Sequence, residues 1–108
     1  MASDFIVVTT SVDSIEIAKH LQGLLLMQRL AACVQIAGPV ESQYWWKTVL
    51  ETTLEWTLVI KTKAILYEQL EAFLVDHHPY DTPEILAVPV LKGQARYLAW
   101  MDSELRLS

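Results

Sequence analysis

The pattern of apolar and polar positions divides the chain into predicted strands and helices. The first strand, Phe5–Thr10, is short and rich in β-branched residues, which is typical of a buried strand. From Ser14 to about Gln28, apolar residues recur every three or four positions, which predicts an amphipathic helix. Ser11 and Asp13 precede that helix and offer oxygens for its N-cap.

Two long predicted strands come next and form a hairpin. The first runs from Cys33 to Trp46 and contains Gly38-Pro39, a pair that cannot sit in a regular central ladder, so we expect a bulge or bend there. The second extends through Lys63, with apolar and polar residues alternating. With roughly ten residues per arm, the hairpin is at the upper end of strand length. We expect it to overhang its own sheet and, being rich in Trp and Tyr, to need a partner.

The second half of the chain repeats the alternation of helix and strand. Helical spacing of apolar residues covers Ala64–His77, and Pro79 ends that helix. A strand over Glu84–Leu91 and a last helix from Gln94 to about Ser103 follow. The order β-α-β-β-α-β-α predicts an α+β fold, the ferredoxin-like split βαβ plait, in which two helices back an antiparallel sheet.

Composition changes this picture in one respect, the state of assembly. The chain has 108 residues, which is enough for one domain spanning 1–108 and one core. Its apolar fraction is 53%, its mean hydropathy is +0.28 and it contains four Trp. A small domain has much surface for its volume, so this apolar content is hard to bury in a monomer and favours an oligomer. No apolar run is long enough to span a bilayer.

Charge and cysteine content narrow the classes of partner. The net charge of −5 argues against nucleic acid, because phosphate binding needs clustered Lys and Arg. Cations or neutral molecules fit better. The one cysteine, Cys33, cannot form an internal disulfide, which agrees with a reducing compartment. The stretch Met1–Asp4 lacks the basic residues of a signal peptide, so we expect a cytoplasmic location.

The chain offers no motif of a known catalytic class. Its three glycines are far apart, so no Gly-rich phosphate loop is present. No G-x-S-x-G nucleophile motif occurs either. We therefore expect a protein that is not an enzyme.

One segment stands out chemically, because His77 to Glu84 combines two imidazoles, a phenol and two carboxylates with two prolines. With other short motifs in the same order along the chain, it resembles the CutA family, the proteins named for divalent-cation tolerance. The matching pieces are Thr9-Thr10 with Asp13, Arg29–Val34, Tyr44–Lys47, Ile60–Lys63, His77–Tyr80, Pro83-Glu84, Pro89-Val90, Gly93, Tyr97-Leu98 and Trp100.

The resemblance implies a cytoplasmic homotrimer of ferredoxin-like subunits, similar in architecture to the PII signalling proteins. It also implies an association with tolerance to copper and other divalent cations, and no settled catalytic activity. Two positions depart from the family pattern. Val12 stands where a proline is frequent, and Thr9 and Thr10 stand where some members have a cysteine in the first strand. A metal site that used that thiolate would be incomplete here.

His77 and His78 are the first candidate metal ligands, since imidazole suits Cu(II), Ni(II) and Zn(II). Two imidazoles do not complete a site, so Glu84, Asp81, water or a neighbouring subunit would have to supply the rest. The alternative interpretation is structural. One imidazole would then cap the C-terminus of the helix, and the other would pack near Tyr80.

Cys33 is the third candidate ligand. Its apolar neighbours are typical of a small buried hydrophobic residue. The other interpretation is a soft ligand for Cu(I), or a reactive thiol, which would need exposure and a lowered pKa. If metal binds there, we expect the site to cross between subunits, since one cysteine excludes a Cys-only site within one chain.

A second set of residues predicts a small-ligand site in a cleft between subunits. Lys61, Tyr80, Glu84 and Trp46 combine polar and aromatic groups, as the lining of a binding pocket does. Each also has a plain structural interpretation: Trp46 as part of an oligomer interface, and Lys61 and Glu84 as solvated charges. The sequence thus leaves open a copper-binding trimer, a PII-like sensor of a small ligand, and a scaffold without a ligand.

Overall fold

In a computed structural model, residues 4–107 form four strands and three α-helices. In chain order they are β1 (Phe5–Val12), α1 (Ile15–Met27), β2 (Cys33–Trp46), β3 (Val49–Lys63), α2 (Tyr67–His77), β4 (Leu86–Pro89) and α3 (Ala95–Glu104). Residues 1–3, on which part of the expected cytoplasmic location depends, lie outside the described residues. No helix within residues 4–107 is long and apolar enough to cross a bilayer.

The strands form one sheet in the order β2-β3-β1-β4, and every neighbouring pair is antiparallel. This arrangement confirms the predicted split βαβ plait. The core lies between one face of the sheet and the helices α1 and α2. Its large, fully buried side chains are Val8, Val12, Leu21, Leu25, Leu58, Ile60, Leu70 and Leu74.

The ends of three elements differ from the sequence-based expectation by two or more residues. α2 begins at Tyr67 rather than at Ala64, because residues 64–66 form a short 3-10 turn. β1 continues to Val12, and the N-cap of α1 is Ser14, whose Oγ accepts a hydrogen bond from the Ile17 N–H at 3.3 Å. The strand extends because Ser11 and Val12 pair with Thr57 and Trp56 of β3, an interaction between distant segments. β4 is shorter than predicted, at four residues.

The predicted irregularity at Gly38-Pro39 is confirmed as a bulge in β2. Between the pair Ala37/Thr57 and the pair Val40/Glu55, β2 advances by three residues and β3 by two. Successive side chains of a strand point to opposite faces, so one extra residue reverses which residues of β2 point to each face beyond the bulge. Beyond the bulge, the even-numbered residues of β2 therefore share a face with the odd-numbered residues of β3.

The face of the sheet opposite α1 and α2 is called the open face here. It carries the odd-numbered residues of β1 and β3, since their even-numbered neighbours Val8, Leu58 and Ile60 are in the core. Helix α3 lies against one end of this face. Lys61 Nζ is 5.7 Å from the centroid of the Tyr97 ring, and Lys63 forms an ion pair with Asp102 at 2.6 Å.

The hairpin overhangs the sheet, as predicted. β1 reaches β3 only as far as Trp56, so residues 40–55 pair with one another alone among residues 4–107. The longest dimension of the subunit is 45 Å. The overhang has two distinct faces, because opposed residues point the same way. The face continuous with the open face carries Val40, Ser42, Tyr44, Trp46, Val49, Glu51, Thr53 and Glu55, and the outer hairpin face carries Glu41, Gln43, Trp45, Leu50, Thr52 and Leu54.

Candidate functional site: an acidic cleft on the open face

A cleft of about 700 Å³ lies where the overhanging hairpin meets the end of β1 and the loop that follows α2. The acidic cleft is lined by Ser11, Asp13, Ser42, Gln43, Tyr44, Trp46, Glu51, Thr53, Glu55, Tyr80, Asp81, Thr82 and Glu84. The bulge at Gly38 is what creates this lining. It brings Tyr44 and Trp46 of β2 onto the same face as Glu55 of β3.

The charge of the cleft has one sign. Its lining contains five carboxylates, and none of the described lining residues is a Lys, an Arg or a His. Like charges around a concave surface reinforce one another's potential and raise the local concentration of counter-ions. The cleft therefore attracts cations and disfavours anions such as phosphates.

The most buried carboxylate of the cleft, Glu55, is hydrogen-bonded to Tyr80. Tyr80 Oη donates to Glu55 Oε2 at 2.7 Å, and Glu55 is only 7% exposed. Burial, together with this hydrogen bond to a carboxylate, raises the pKa of the Tyr80 phenol well above its usual value. Tyr80 therefore remains protonated and acts as a hydrogen-bond donor.

His78 fixes the loop that carries Tyr80. Its Nε2 lies 2.9 Å from the Ser11 carbonyl oxygen, so Nε2 carries the proton and donates, since a carbonyl only accepts. Its Nδ1 accepts a hydrogen bond from the Tyr80 N–H at 3.1 Å. Burial lowers the pKa of His78, although the Ser11 carbonyl and the carboxylates of Glu55 and Asp13 partly oppose that effect. Both nitrogens are engaged, so this imidazole has no free lone pair for a metal ion.

His77 has different surroundings. It is exposed at the end of α2, its ring stacks on Phe73 with centroids 4.1 Å apart, and Nδ1 lies 2.9 Å from the Phe73 carbonyl oxygen. A carbonyl only accepts, so Nδ1 carries the proton and Nε2 keeps its lone pair. Metal-binding histidines usually have their second nitrogen fixed by a carbonyl or carboxylate in this way.

Cys33 and Lys61 lie away from the cleft. They are opposite each other on β2 and β3, and Lys61 is also opposite Val7 of β1. Val7 is four residues from Ser11, which corresponds to about 13 Å along the strand. Cys33 is half-buried and Lys61 contacts Tyr97. Of the predicted ligand-binding residues, the structure thus brings together Trp46, Tyr80 and Glu84 and leaves Lys61 elsewhere.

The three predicted metal ligands are not brought together in one subunit. Among residues 4–107, no group of three or more His, Cys, Asp or Glu side chains is close enough to hold a metal ion. A metal site built on His77 or Cys33 would therefore need side chains from more than one subunit.

Reasoning from sequence missed Glu55, the centre of the buried hydrogen bond. The one sequence feature that sets Glu55 apart is its position, since it is a charged residue between Leu54 and Trp56 in a strand of alternating apolar and polar residues. That pattern normally indicates a solvated side chain. Glu55 is nevertheless buried, and its hydrogen-bond partner Tyr80 is 25 positions away in sequence.

The fold and the cleft define a class: small α+β subunits of the split βαβ plait that carry an overhanging β-hairpin. A family model described as "CutA1 divalent ion tolerance protein" matches residues 6–104. The chain belongs to this family, as its motifs indicated.

Named relatives agree with this assignment. Protein CutA 1, chloroplastic, from Oryza sativa is 39% identical over 103 residues, which cover 95% of this chain and 58% of that protein. Divalent-cation tolerance protein CutA from Pectobacterium atrosepticum is 37% identical over 95% of this chain and 94% of its own length. The crystal structure of CutA1 from Oryza sativa superposes with a TM-score of 0.94 and 38% identity, covering 96% of this chain and 95% of that one.

Proposed function

We propose that this chain forms a cytoplasmic homotrimer that contributes to divalent-cation tolerance by binding the cation itself. The cation that we propose first is copper. Membership of the divalent ion tolerance family supports the link with cations. Support for copper comes from the imidazole of His77, a ligand type that Cu(II) favours. We propose binding rather than catalysis, because the sequence contains no nucleophile motif.

The observation that carries the copper proposal is the state of His77. Its Nδ1–H donates to the Phe73 carbonyl, which fixes the ring and leaves Nε2 available at the surface. His78 differs, because binding a metal would break one of its two hydrogen bonds. We therefore assign His77 as the principal ligand of each subunit. The remaining ligands would come from other subunits, Cys33 among the candidates.

The experiment that tests this is a copper titration against a chelator of known affinity. We would compare the wild type with His77→Ala, His78→Gln and Cys33→Ser, each confirmed by light scattering to have the wild-type mass. His77→Ala is expected to weaken copper binding by about tenfold or more, since even the loss of a supporting residue costs this much at metal sites. Unchanged affinity in the His77→Ala oligomer would show that the imidazole has no part in binding.

The outer hairpin face supports the trimer. Its apolar residues Trp45, Leu50 and Leu54 are 73%, 49% and 58% exposed in the isolated subunit. Large apolar residues grouped on one surface are typical of an interface rather than of a surface that faces water. A homotrimer, which the family resemblance implies, would cover them.

A second candidate function is a sensor, similar to the PII proteins, that binds a small ligand in the acidic cleft. The specific observation in its favour is that Trp46, Tyr80 and Glu84 share one cleft whose volume suits a small molecule. A thermal-shift screen of metal ions, nucleotides and organic cations would test it, because a ligand bound only by the folded state raises the melting temperature. If metal ions alone raised it, the sensor function would lose its support.

A further inference from the structure

The acidic cleft contains a carboxylate, Glu55, that has no counter-charge among residues 4–107. Glu55 is 7% exposed, and neither the Arg29 nor the Lys63 ion pair of residues 4–107 involves it. Tyr80 Oη donates to Oε2, and Oε1 is not among the side-chain oxygens that are sealed from solvent without a partner, so it is open to the cleft. Buried carboxylates are normally paired or fully hydrogen-bonded, because loss of hydration penalises the charge. Glu55 therefore offers one carboxylate oxygen to a cation that enters the cleft.

The geometry of the cleft distinguishes a bare metal ion from a larger cation. A divalent ion needs several oxygen ligands within about 2.6 Å. Among residues 4–107, no three His, Cys, Asp or Glu side chains converge in this way. The carboxylates are instead spread along the cleft. Glu51 and Glu55, for example, lie on one face of β3 and four residues apart, about 13 Å along the strand.

The walls of the cleft are suited to ammonium groups. The aromatic residues Tyr44, Trp46 and Tyr80 line it together with the carboxylates. An ammonium group is attracted to the face of an aromatic ring, most strongly to that of Trp. The chain itself provides an example, since Lys47 Nζ lies 5.7 Å from the centroid of the Trp46 ring. Carboxylates and aromatic rings around an elongated space are complementary to an organic cation.

We propose that the acidic cleft binds a linear organic cation carrying two or more ammonium groups, one on Glu55 and another against Trp46 and Glu51. The inference rests on the second candidate function, ligand binding in the cleft, and names the chemical class of that ligand. Glu55 is the residue that determines specificity, because its buried carboxylate rejects a neutral or anionic group at that position.

The test is calorimetric titration of the intact oligomer with spermidine, a linear triamine. Two reference titrations accompany it: 1,8-octanediol, which is linear and neutral, and magnesium chloride, which reports general screening of negative charge. The wild type is expected to bind the triamine and to give no binding heat with the diol. Glu55→Gln is expected to weaken triamine binding by about tenfold or more, because hydrogen bonds to charged groups are among the stronger ones.

Glu41→Gln is the matched control variant. It removes the same charge from the same hairpin, but Glu41 lies on the exposed outer hairpin face and does not line the cleft. Its affinity for the triamine is expected to equal that of the wild type. Trp46→Leu is expected to weaken binding by about threefold or more through loss of the aromatic face. Glutamine at position 55 can still accept a hydrogen bond from Tyr80, so that variant keeps the local fold.

Three outcomes would overturn the proposal: no triamine binding by the wild-type oligomer, equal weakening by Glu41→Gln and Glu55→Gln, or equal binding of magnesium and triamine. The first would result if a side chain of a second copy filled the cleft. The same measurements distinguish failure of this proposal from failure of the copper function or of the sensor function. Copper binding without triamine binding would leave the copper function intact, and a melting-temperature rise with another metabolite would keep the sensor function but reject this ligand class.

Discussion

His77 and His78 are adjacent in the sequence, yet their imidazole rings have different surroundings. His77 is exposed and its Nδ1 donates to the carbonyl of its own helix, whereas His78 is buried between β1 and the loop that carries Tyr80. The proline at position 79 separates them, because it keeps His78 out of the helical region, with ψ at 138°. One imidazole is thus available to a ligand, and the other holds the wall of the cleft.

His78 makes the stability of the protein depend on pH. Because burial lowers its pKa below the ordinary 6.5, the unfolded chain binds a proton more readily than the folded chain. The free energy of unfolding therefore decreases as the pH falls below about 6.5, and this loss ends below the folded pKa. His78→Gln is expected to lower stability at neutral pH by about 1–3 kcal/mol and to remove this part of the pH dependence.

Urea unfolding at a fixed protein concentration, at several pH values from 8 down to about 5, would measure this effect across the range in which histidine titrates. His20→Gln is the control, since His20 is exposed on α1. If His78→Gln and the wild type lose stability in parallel as the pH falls, His78 is not the group responsible.

The Tyr80–Glu55 hydrogen bond gives a second prediction at the level of residues. Tyr80→Phe leaves a buried carboxylate without its donor and is expected to lower the free energy of unfolding by about 1–3 kcal/mol. Combining it with Glu55→Gln is expected to cost less than the sum of the two single changes, because Glu55→Gln already replaces the charged acceptor by a neutral one and the loss of the Tyr80 donor then costs less. Denaturant unfolding of the four proteins measures the coupling.

Tyr44→Phe serves as the reference variant, because the Tyr44 hydroxyl is bonded to Thr53 at an exposed position. Its effect is expected to be small. Additive losses from Tyr80→Phe and Glu55→Gln would show that the two groups do not act together.

At the level of elements, the bulge in β2 decides what the hairpin presents to the cleft. Gly38 has φ of 152°, and a Cβ there would lie 2.8 Å from Trp56 Cδ1 and 2.9 Å from the Glu55 carbonyl oxygen. Only glycine suits that conformation and that close approach. Without the extra residue, Tyr44 and Trp46 would point away from Glu55.

We expect Gly38→Ala to destabilise the protein by on the order of 2 kcal/mol, because it forces either strain or a shift of the Glu55 backbone. Gly23→Ala is the matched comparison. A Cβ at Gly23 meets nothing within 4 Å, so alanine in this helix is expected to stabilise by about 0.5–1 kcal/mol. Thermal unfolding of both variants measures the contrast, and equal effects of the two substitutions would contradict it.

At the level of the whole molecule, the overhanging hairpin exposes apolar residues in the isolated subunit. Trp45, Leu50 and Leu54 form an apolar surface on the outer hairpin face that the subunit does not cover. Burying such a surface against other copies is strongly favourable, at about 25 cal/mol for each Å² removed from water. The assembly would also decide which groups of a neighbouring copy border the acidic cleft.

The corresponding prediction concerns mass in solution. The wild type is expected to show three times the subunit mass of 12.3 kDa. Trp45→Glu combined with Leu54→Glu is expected to yield smaller species, because two charges would be buried at the interface without partners. Light scattering after gel filtration measures this. Met27→Glu, at an exposed apolar position on α1, is the control and should leave the mass unchanged. If the variant with Trp45→Glu and Leu54→Glu still had the mass of a trimer, the interface would lie elsewhere.

The sequence by itself determined the order of the elements, the long hairpin and the bulge. These depend on local periodicity and on the restricted conformations of Gly38 and Pro39, which are properties of neighbouring residues. The motifs also indicated the family. For the cleft, the sequence identified Trp46, Tyr80 and Glu84 but also included Lys61, because composition suggests which groups suit a ligand without showing which of them meet.

Only the tertiary structure decided the roles of Glu55 and His78. Glu55 looks like a solvated residue of an alternating strand, but it is buried and accepts a hydrogen bond from Tyr80 of a distant loop. His78 looks like a metal ligand, but its nitrogens are taken by Ser11, 67 positions away, and by Tyr80. Burial and hydrogen bonding between distant segments depend on packing in three dimensions, and no local pattern encodes them.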